Sequence, residues 1–347
     1  MATPTLTQYL LGVGSTLHSP GYAHILSAVA VSVKLAGAMI SRGPLVVDPA
    51  RPHTASDRDV SRRLRRLIIS ALLAQCESVE QLAAISVLGS PKIFPVSPAG
   101  RYLLLFEALH GGSNLDDNLP VGSTFSVLER DSQTGPATAA EFLQPGTRQV
   151  SAGIALFGPR TILVLTAGEG VDGFTLDRDV GNFVLTHPGM RIPSDSAAFA
   201  INATDGPYWP APVKRYVEEC VLGSEGPRGH NFRMRWNASA LVGAYRVLTS
   251  GGLFLAPDTG RSAGWLAPLL YTAAPLAMLA EQAGGRATTG TQPVLEVVPQ
   301  ALTSEVPLFF GSADEVARLE LYFADHERGY DQEFSHPLFH SRTLFVD

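Results

Sequence analysis

Cysteine is almost missing from this chain: two residues, Cys76 and Cys220, occur among 347. That excludes a disulfide framework and makes a reducing compartment the expected home, with both thiols read as core residues. Excess positive charge is missing too. Lys and Arg total 26 against 32 Asp and Glu, for a net charge of −6, which excludes the usual basic nucleic-acid surface. Met1-Ala2-Thr3-Pro4-Thr5-Leu6-Thr7 has no basic segment leading into an apolar one, and no uncharged apolar run of about 18 residues follows. A cytoplasmic protein with neither a nucleic-acid nor a membrane partner is expected. Internal repeats and low-complexity tracts are also lacking.

What is present is a large apolar fraction, 45% of 347 residues, enough to bury a full core and compatible with two domains. Ile25, Val29, Val33, Ala36 and Ile40 recur at three- or four-residue spacing and predict a helix over 21–41, closed by Gly43 and Pro44. A second helix is expected over 57–76. Its basic cluster, Arg58 to Arg66, reads as a solvated face, with an intersubunit or effector contact as the alternative. Segments at 102–106, 123–128, 151–157 and 161–166 predict strands punctuated by Gly and Pro. Beyond Pro193 the rhythm changes to helices at 211–222, 235–250 and 273–283, the last two stopped by Gly251-Gly252 and Gly284-Gly285. The expected division is a first domain over 1–193, a second over 194–327 and a tail over 328–347.

The most informative stretch is Glu107-Ala108-Leu109-His110-Gly111-Gly112-Ser113-Asn114. Leu103 to Phe106 form a continuous apolar run, the pattern of a strand buried on both faces, expected to end at Glu107. Gly111, Gly112, Ser113 and Asn114 then supply a turn whose backbone amides can converge on an anion, since glycine permits positive φ. The turn reads as a phosphate cradle or as an ordinary Gly-rich loop.

With the following Leu115 to Val127, this stretch resembles the Asp-Pro-Leu-Asp-Gly-Ser-Ser-Asn-Ile-Asp signature of class 1 fructose-1,6-bisphosphatases and its Val-Gly-Thr-Ile-Phe-Ser strand. Phe142-Leu143-Gln144-Pro145-Gly146-Thr147, Gly173 to Arg178, Phe183 to Pro188, Glu225 to Gly229, Gly251 to Phe254, Glu281 to Gly285 and Pro337-Leu338-Phe339 are similar to the bacterial branch of that family. The resemblance implies an α/β sugar-phosphatase fold of two layered α/β domains, assembled as a homo-oligomer, a tetramer or dimer.

It also implies chemistry. Family members hydrolyse the 1-phosphate of fructose 1,6-bisphosphate with several Mg²⁺ ions held by carboxylates, because Mg²⁺ demands hard oxygen ligands. Here the two motif aspartates fall on Glu107 and His110, the paired glutamates near Leu88 and Gly89, the later glutamate on Thr272, and the helix aspartate near Arg63. At the sugar end Asn202, Arg235 and Trp236 match positions that touch the 6-phosphate, Arg235 reaching a neighbouring subunit's site. The family's tyrosine, lysine and arginine nearby are Ala256, Leu266 and Pro268, which makes the expected pocket larger and more apolar.

The expected site therefore has His110 and Glu107 as catalytic residues, with Gly111, Gly112, Ser113, Asn114, Asn202, Arg235, Trp236 and Thr272 around a small-molecule substrate. No metal and no other cofactor are expected, Mg²⁺ entering only in an alternative. His110 reads as an acid/base group polarised by Glu107, as a filler of vacated space, or as half of a transition-metal site short of ligands. His187 and His230 read as structural, and His326, His336 and His340 as exposed tail residues. The expected function is a family member that has lost bisphosphate hydrolysis and turned to a less phosphorylated substrate. A residual phosphatase with a rearranged metal site and a silent regulatory paralogue are the alternatives.

Overall fold

A computed structural model describes residues 3–16, 21–51, 53, 56–131, 135–261 and 266–330. In the first half, helices α1 (Leu6–Thr16), α2 (Tyr22–Ile40) and α3 (Asp57–Cys76) pack beside an eight-stranded sheet. Its strands are β1 (Leu82–Val87), β2 (Ile93–Pro95), β3 (Tyr102–His110), β4 (Val121–Glu129), β5 (Gln149–Phe157), β6 (Thr161–Thr166), β7 (Asp172–Asp177) and β8 (Asn182–His187), in the order β2-β1-β3-β4-β5-β6-β7-β8. Among the described pairs of this sheet only β1–β3 is parallel.

The second half alternates helix and strand through β9 (Ala198–Ala200), α4 (Ala211–Leu222), β10 (Arg233–Met234), α5 (Ala240–Ser250), β11 (Leu253–Ala256), β12 (Ala267–Pro268), α6 (Ala274–Gln282), β13 (Arg286–Thr288), β14 (Glu305–Val306), β15 (Leu308–Gly311) and α7 (Ala313–Glu327). Five of these strands form a sheet in the order β10-β9-β11-β15-β13. Helices α5 and α6 lie between the two sheets, and one apolar cluster joins Ile154 and Val164 of the large sheet to Phe254 and Phe310 of the small one. The layers are therefore fused through a continuous core, as the α/β reading expects.

Two sequence expectations need correction, and a third needs an addition. Strand β3 does not end at Glu107 but continues to His110, because β4 keeps pairing beyond it: Glu107 lies opposite Thr124 and His110 opposite Gly122, with an irregularity between them. The Ser123 hydroxyl donates to the Ala108 carbonyl at 2.7 Å inside that irregularity. A bulged strand end thus presents both side chains. Helix α5 begins at Ala240, not 235. Ser239 caps it, its Oγ accepting from the Val242 amide at 3.4 Å, while the Arg235 amide is held by the Phe199 carbonyl at 2.8 Å. The helix expected at 273–283 is preceded by a π-helical turn, Leu269–Ala273, which carries Tyr271 and Thr272.

Helix α2 is 19 residues long with mean hydropathy 1.7, enough to cross a membrane by length and composition. Half of it is buried in this fold, and Lys34 Nζ donates to the Gly181 carbonyl at 3.0 Å. Both features are those of a core helix.

Both cysteines are buried, as expected, and burial pushes each thiol up to about 12. The native state then keeps protons that the unfolded chain releases from about pH 9, so this contribution to stability is complete below that pH and is lost as pH rises toward 12. The melting temperature should fall steadily from about pH 9 to 11; a flat profile across that range would contradict the burial of these thiols.

Candidate functional site

The cleft is assembled from strand ends that meet the π-helical turn. Glu107 and His110 are brought together by the bulge in β3, with His110 Nδ1 and Glu107 Oε1 2.9 Å apart. Thr272 comes from the turn across the cleft, its hydroxyl donating to the other carboxylate oxygen, Oε2, at 2.8 Å. The turn is itself fixed: Tyr271 Oη meets Ser86 Oγ of β1 at 2.7 Å, and the Thr124 hydroxyl of β4 donates to the Tyr271 carbonyl. Both carboxylate oxygens are therefore bound, one to each neighbour. Burial pushes the Glu107 carboxyl up, but the His110 charge and hydrogen bond, the Thr272 hydroxyl and the nearby Arg65 charge outweigh it, and the group lies below the usual glutamate range.

Glu107, His110 and Thr272 line a cavity of about 230 Å³ whose other walls are Ala240, Phe254, Ala256, Leu266, Ala267, Pro268 and Leu308. Ala256, Leu266 and Pro268, the positions where a phenol and two cations were expected to be missing, thus lie on one apolar wall. Trp236 stands behind it, stacked on Phe254 with ring centroids 6.0 Å apart.

The remaining expected residues are placed differently. Gly111, at φ +70°, makes the left-handed entry to the Gly112–Leu115 turn. Asn114 is buried, and its amide donates to the Pro120 carbonyl at 3.1 Å, so it ties the turn to β4. Asn202 is used by its own turn, accepting from Thr204 and donating to Asp205 at 2.7 Å. Arg235 is exposed beside the short edge strand β10.

The helix position also needs correction. Arg63 and Arg65 are both exposed, and it is Arg65 that reaches the end of β3, its Nη2 donating to the Leu109 carbonyl at 3.4 Å. Leu88 packs against the apolar cluster around Leu270 and Tyr271, where it offers no ligand atom. His187 contacts Thr186 and Tyr245, and exposed His230 stacks on Phe232. His326 belongs to the last turn of α7 instead of the tail, and His336 and His340 lie outside the described residues.

Sequence reasoning missed Ser61 and the way α3 meets the Gly-Gly-Ser turn. A Cβ on Gly112 would stand 2.6 Å from Ser61 Oγ. The signal that could have found this face was the spacing of Arg58, Ser61, Arg62 and Arg65, which places all four on one side of a helix.

Family models for the N-terminal and C-terminal domains of fructose-1,6-bisphosphatase match residues 59–188 and 192–324. The chain is 40% identical to "Fructose-1,6-bisphosphatase class 1" of Methylacidiphilum infernorum (isolate V4), over 98% of each chain. It is 42% identical to the protein of that name from Hydrogenophilus thermoluteolus, over 99% of this chain and 98% of the other. Among solved structures it is similar to Leishmania major fructose-1,6-bisphosphatase in holo form, with a TM-score of 0.82 at 30% identity, covering 92% of this chain and 99% of that one.

These full-length similarities overturn the expectation that no metal cofactor is involved, because the resemblance they establish carries Mg²⁺ with it. The donor set does not fit a multi-ion centre, however. Among the described residues Glu107 is the one carboxylate lining the cavity, and it is already bonded to His110 and Thr272. Among the described residues no group of three or more His, Cys, Asp or Glu could hold a metal ion, whereas Mg²⁺ takes several hard oxygen ligands in near-octahedral geometry.

Proposed function

The chain belongs to the fructose-1,6-bisphosphatase family, and from that premise we propose that bisphosphate hydrolysis has given way in it to acid/base chemistry by His110 on a less phosphorylated substrate with an apolar body. The observation that carries this reading is the Thr272–Glu107–His110 array on the wall of an otherwise apolar cavity.

The array sets the roles. Thr272 fixes Glu107 Oε2, which turns Oε1 toward His110 Nδ1. A carboxylate on Nδ1 fixes the tautomer and ring orientation and stabilises the imidazolium that forms when the ring takes a proton. Proton exchange with substrate is then the task of the imidazole, which lines the cavity. The apolar walls keep water low around the exchange, which strengthens each polar contact made there.

The distinguishing experiment is phosphate release from fructose 1,6-bisphosphate with Mg²⁺ in excess, beside a class 1 relative. Loss of one preorganised stabilising group costs about 10²–10³ in kcat, and several positions have changed, so turnover at least about 10²-fold below the relative's is expected. A second reading, a residual sugar-phosphate phosphatase with a rearranged ion site, is favoured by the intact Glu107 carboxylate. Turnover comparable to the relative's and abolished by a chelator would establish that second reading and end the first.

A further inference from the structure

Resting on the reading of the cleft above, we infer that the substrate's phosphoryl group is anchored by a guanidinium cluster on α3 facing the Gly112-Ser113 turn, apart from the Arg235 end of the molecule. Arg58, Ser61, Arg62 and Arg65 form one wall of a second cavity, of about 460 Å³, and Gly112, Ser113 and Asp116 form the other. The two cavities adjoin along the chain, since His110 lines the first and Gly112 the second.

Three arginines spaced four and three residues apart repel one another on an isolated helix. Among the described residues their partners are few. Arg62 reaches Asp59 at 3.3 Å with both groups exposed, a pairing of small worth. Arg65 donates to the neutral Leu109 carbonyl, and its charge acts on Glu107. Exposed Asp116 sets one negative charge against the cluster. The excess charge is therefore positive, and it lies beside a turn that begins with left-handed Gly111 and presses against Ser61.

Planar guanidinium forks match the oxygens of a phosphoryl group bidentately, and backbone amides of a Gly-rich turn complete such a cradle. A dianionic phosphate monoester would supply the missing negative charge and place its organic part toward His110 and the apolar cavity. In this arrangement guanidinium groups neutralise the phosphoryl oxygens.

The test is calorimetric titration with inorganic phosphate of the wild-type protein, of Arg58→Gln/Arg65→Gln, of Arg235→Gln and of His110→Ala. Charged hydrogen bonds of this kind are each worth a factor of about 10 or more in affinity, so the double variant should bind phosphate at least about 10-fold more weakly. Arg235→Gln and His110→Ala should bind it as the wild type does. Arg58, Arg65 and Arg235 are exposed, so these variants should fold, and melting without phosphate verifies that they do. A sugar monophosphate should bind more tightly than inorganic phosphate, which separates a substrate anchor from a site for the free ion. The inference is overturned by absent phosphate binding in the wild type, by unchanged binding in the double variant, by loss confined to Arg235→Gln, or by equal affinity for phosphate and the monophosphate. Since turnover is not measured, failure here leaves the His110 chemistry standing, and loss of that chemistry leaves this binding intact.

Discussion

Glu315→Ala should lower the unfolding free energy of the C-terminal half by about 3–5 kcal/mol, the cost of removing one partner from a buried ion pair. Glu315 Oε1 receives Arg228 Nη2 at 2.5 Å, and the two side chains are 5% and 2% exposed. Tyr216 of α4 donates its hydroxyl to Oε2 at 2.6 Å, so one carboxylate of α7 holds both α4 and the loop after it. Arg228 also lies over the Phe232 ring, 4.4 Å from its centroid. Without the carboxylate, Arg228 is left as a desolvated cation and Tyr216 as a buried donor, and neither can reach water without opening the packing between α4 and α7.

The companion variant Arg228→Met/Glu315→Met removes both charges and should recover the part of the loss that comes from the stranded Arg228, because apolar replacement of a whole buried pair is often neutral, while the Tyr216 hydroxyl still lacks its acceptor. All three tryptophans, Trp209, Trp236 and Trp265, lie in the C-terminal half, so fluorescence in a urea series reports on the affected part. A midpoint for Glu315→Ala matching the wild type, or a double variant as weak as the single one, would show that the pair does not clamp α4 to α7.

How much of this was legible beforehand depends on whether a feature is local. The helix over 57–76 is readable because Ser56 caps it and its apolar residues keep one face. The motif frame at 107–114 is readable because strand, turn and strand follow each other directly. The hydrogen bond between Thr272 and Glu107 joins residues 165 positions apart, and only the resemblance put the two in one cleft. Arg65 is harder still. Several basic residues share the α3 surface, and which of them meets the Gly112 turn depends on the angle at which the helix packs on β3, which no local pattern encodes. The early start expected for α5 fails for a related reason: residues from 235 could continue a helix, but the Arg235 amide is taken by the sheet edge. The metal expectation failed differently, since it counted altered ligand positions and gave too little weight to full-length similarity.

The largest kinetic effect expected is at His110. His110→Ala should cut the protein's reaction by about 10²–10⁴-fold, the usual worth of a positioned proton-transfer group, while leaving the fold intact. Glu107→Gln should cost less, because the amide can still occupy the site between Thr272 and His110 but no longer stabilises an imidazolium. Thr272→Val should cost least of the three, since it releases one carboxylate oxygen without removing the charge. The order His110, Glu107, Thr272 distinguishes a chain of orientation ending at the imidazole from a set of independent binding contacts, which would raise KM and leave kcat alone. Restoring Asp at both 107 and 110 should not produce a fast bisphosphatase, because Leu88 and Thr272 would still offer no carboxylate. Steady-state kinetics on the native substrate decides the matter: a His110→Ala protein that turns over at the wild-type rate, or a double reversion that hydrolyses fructose 1,6-bisphosphate as its relatives do, would remove His110 from the chemistry.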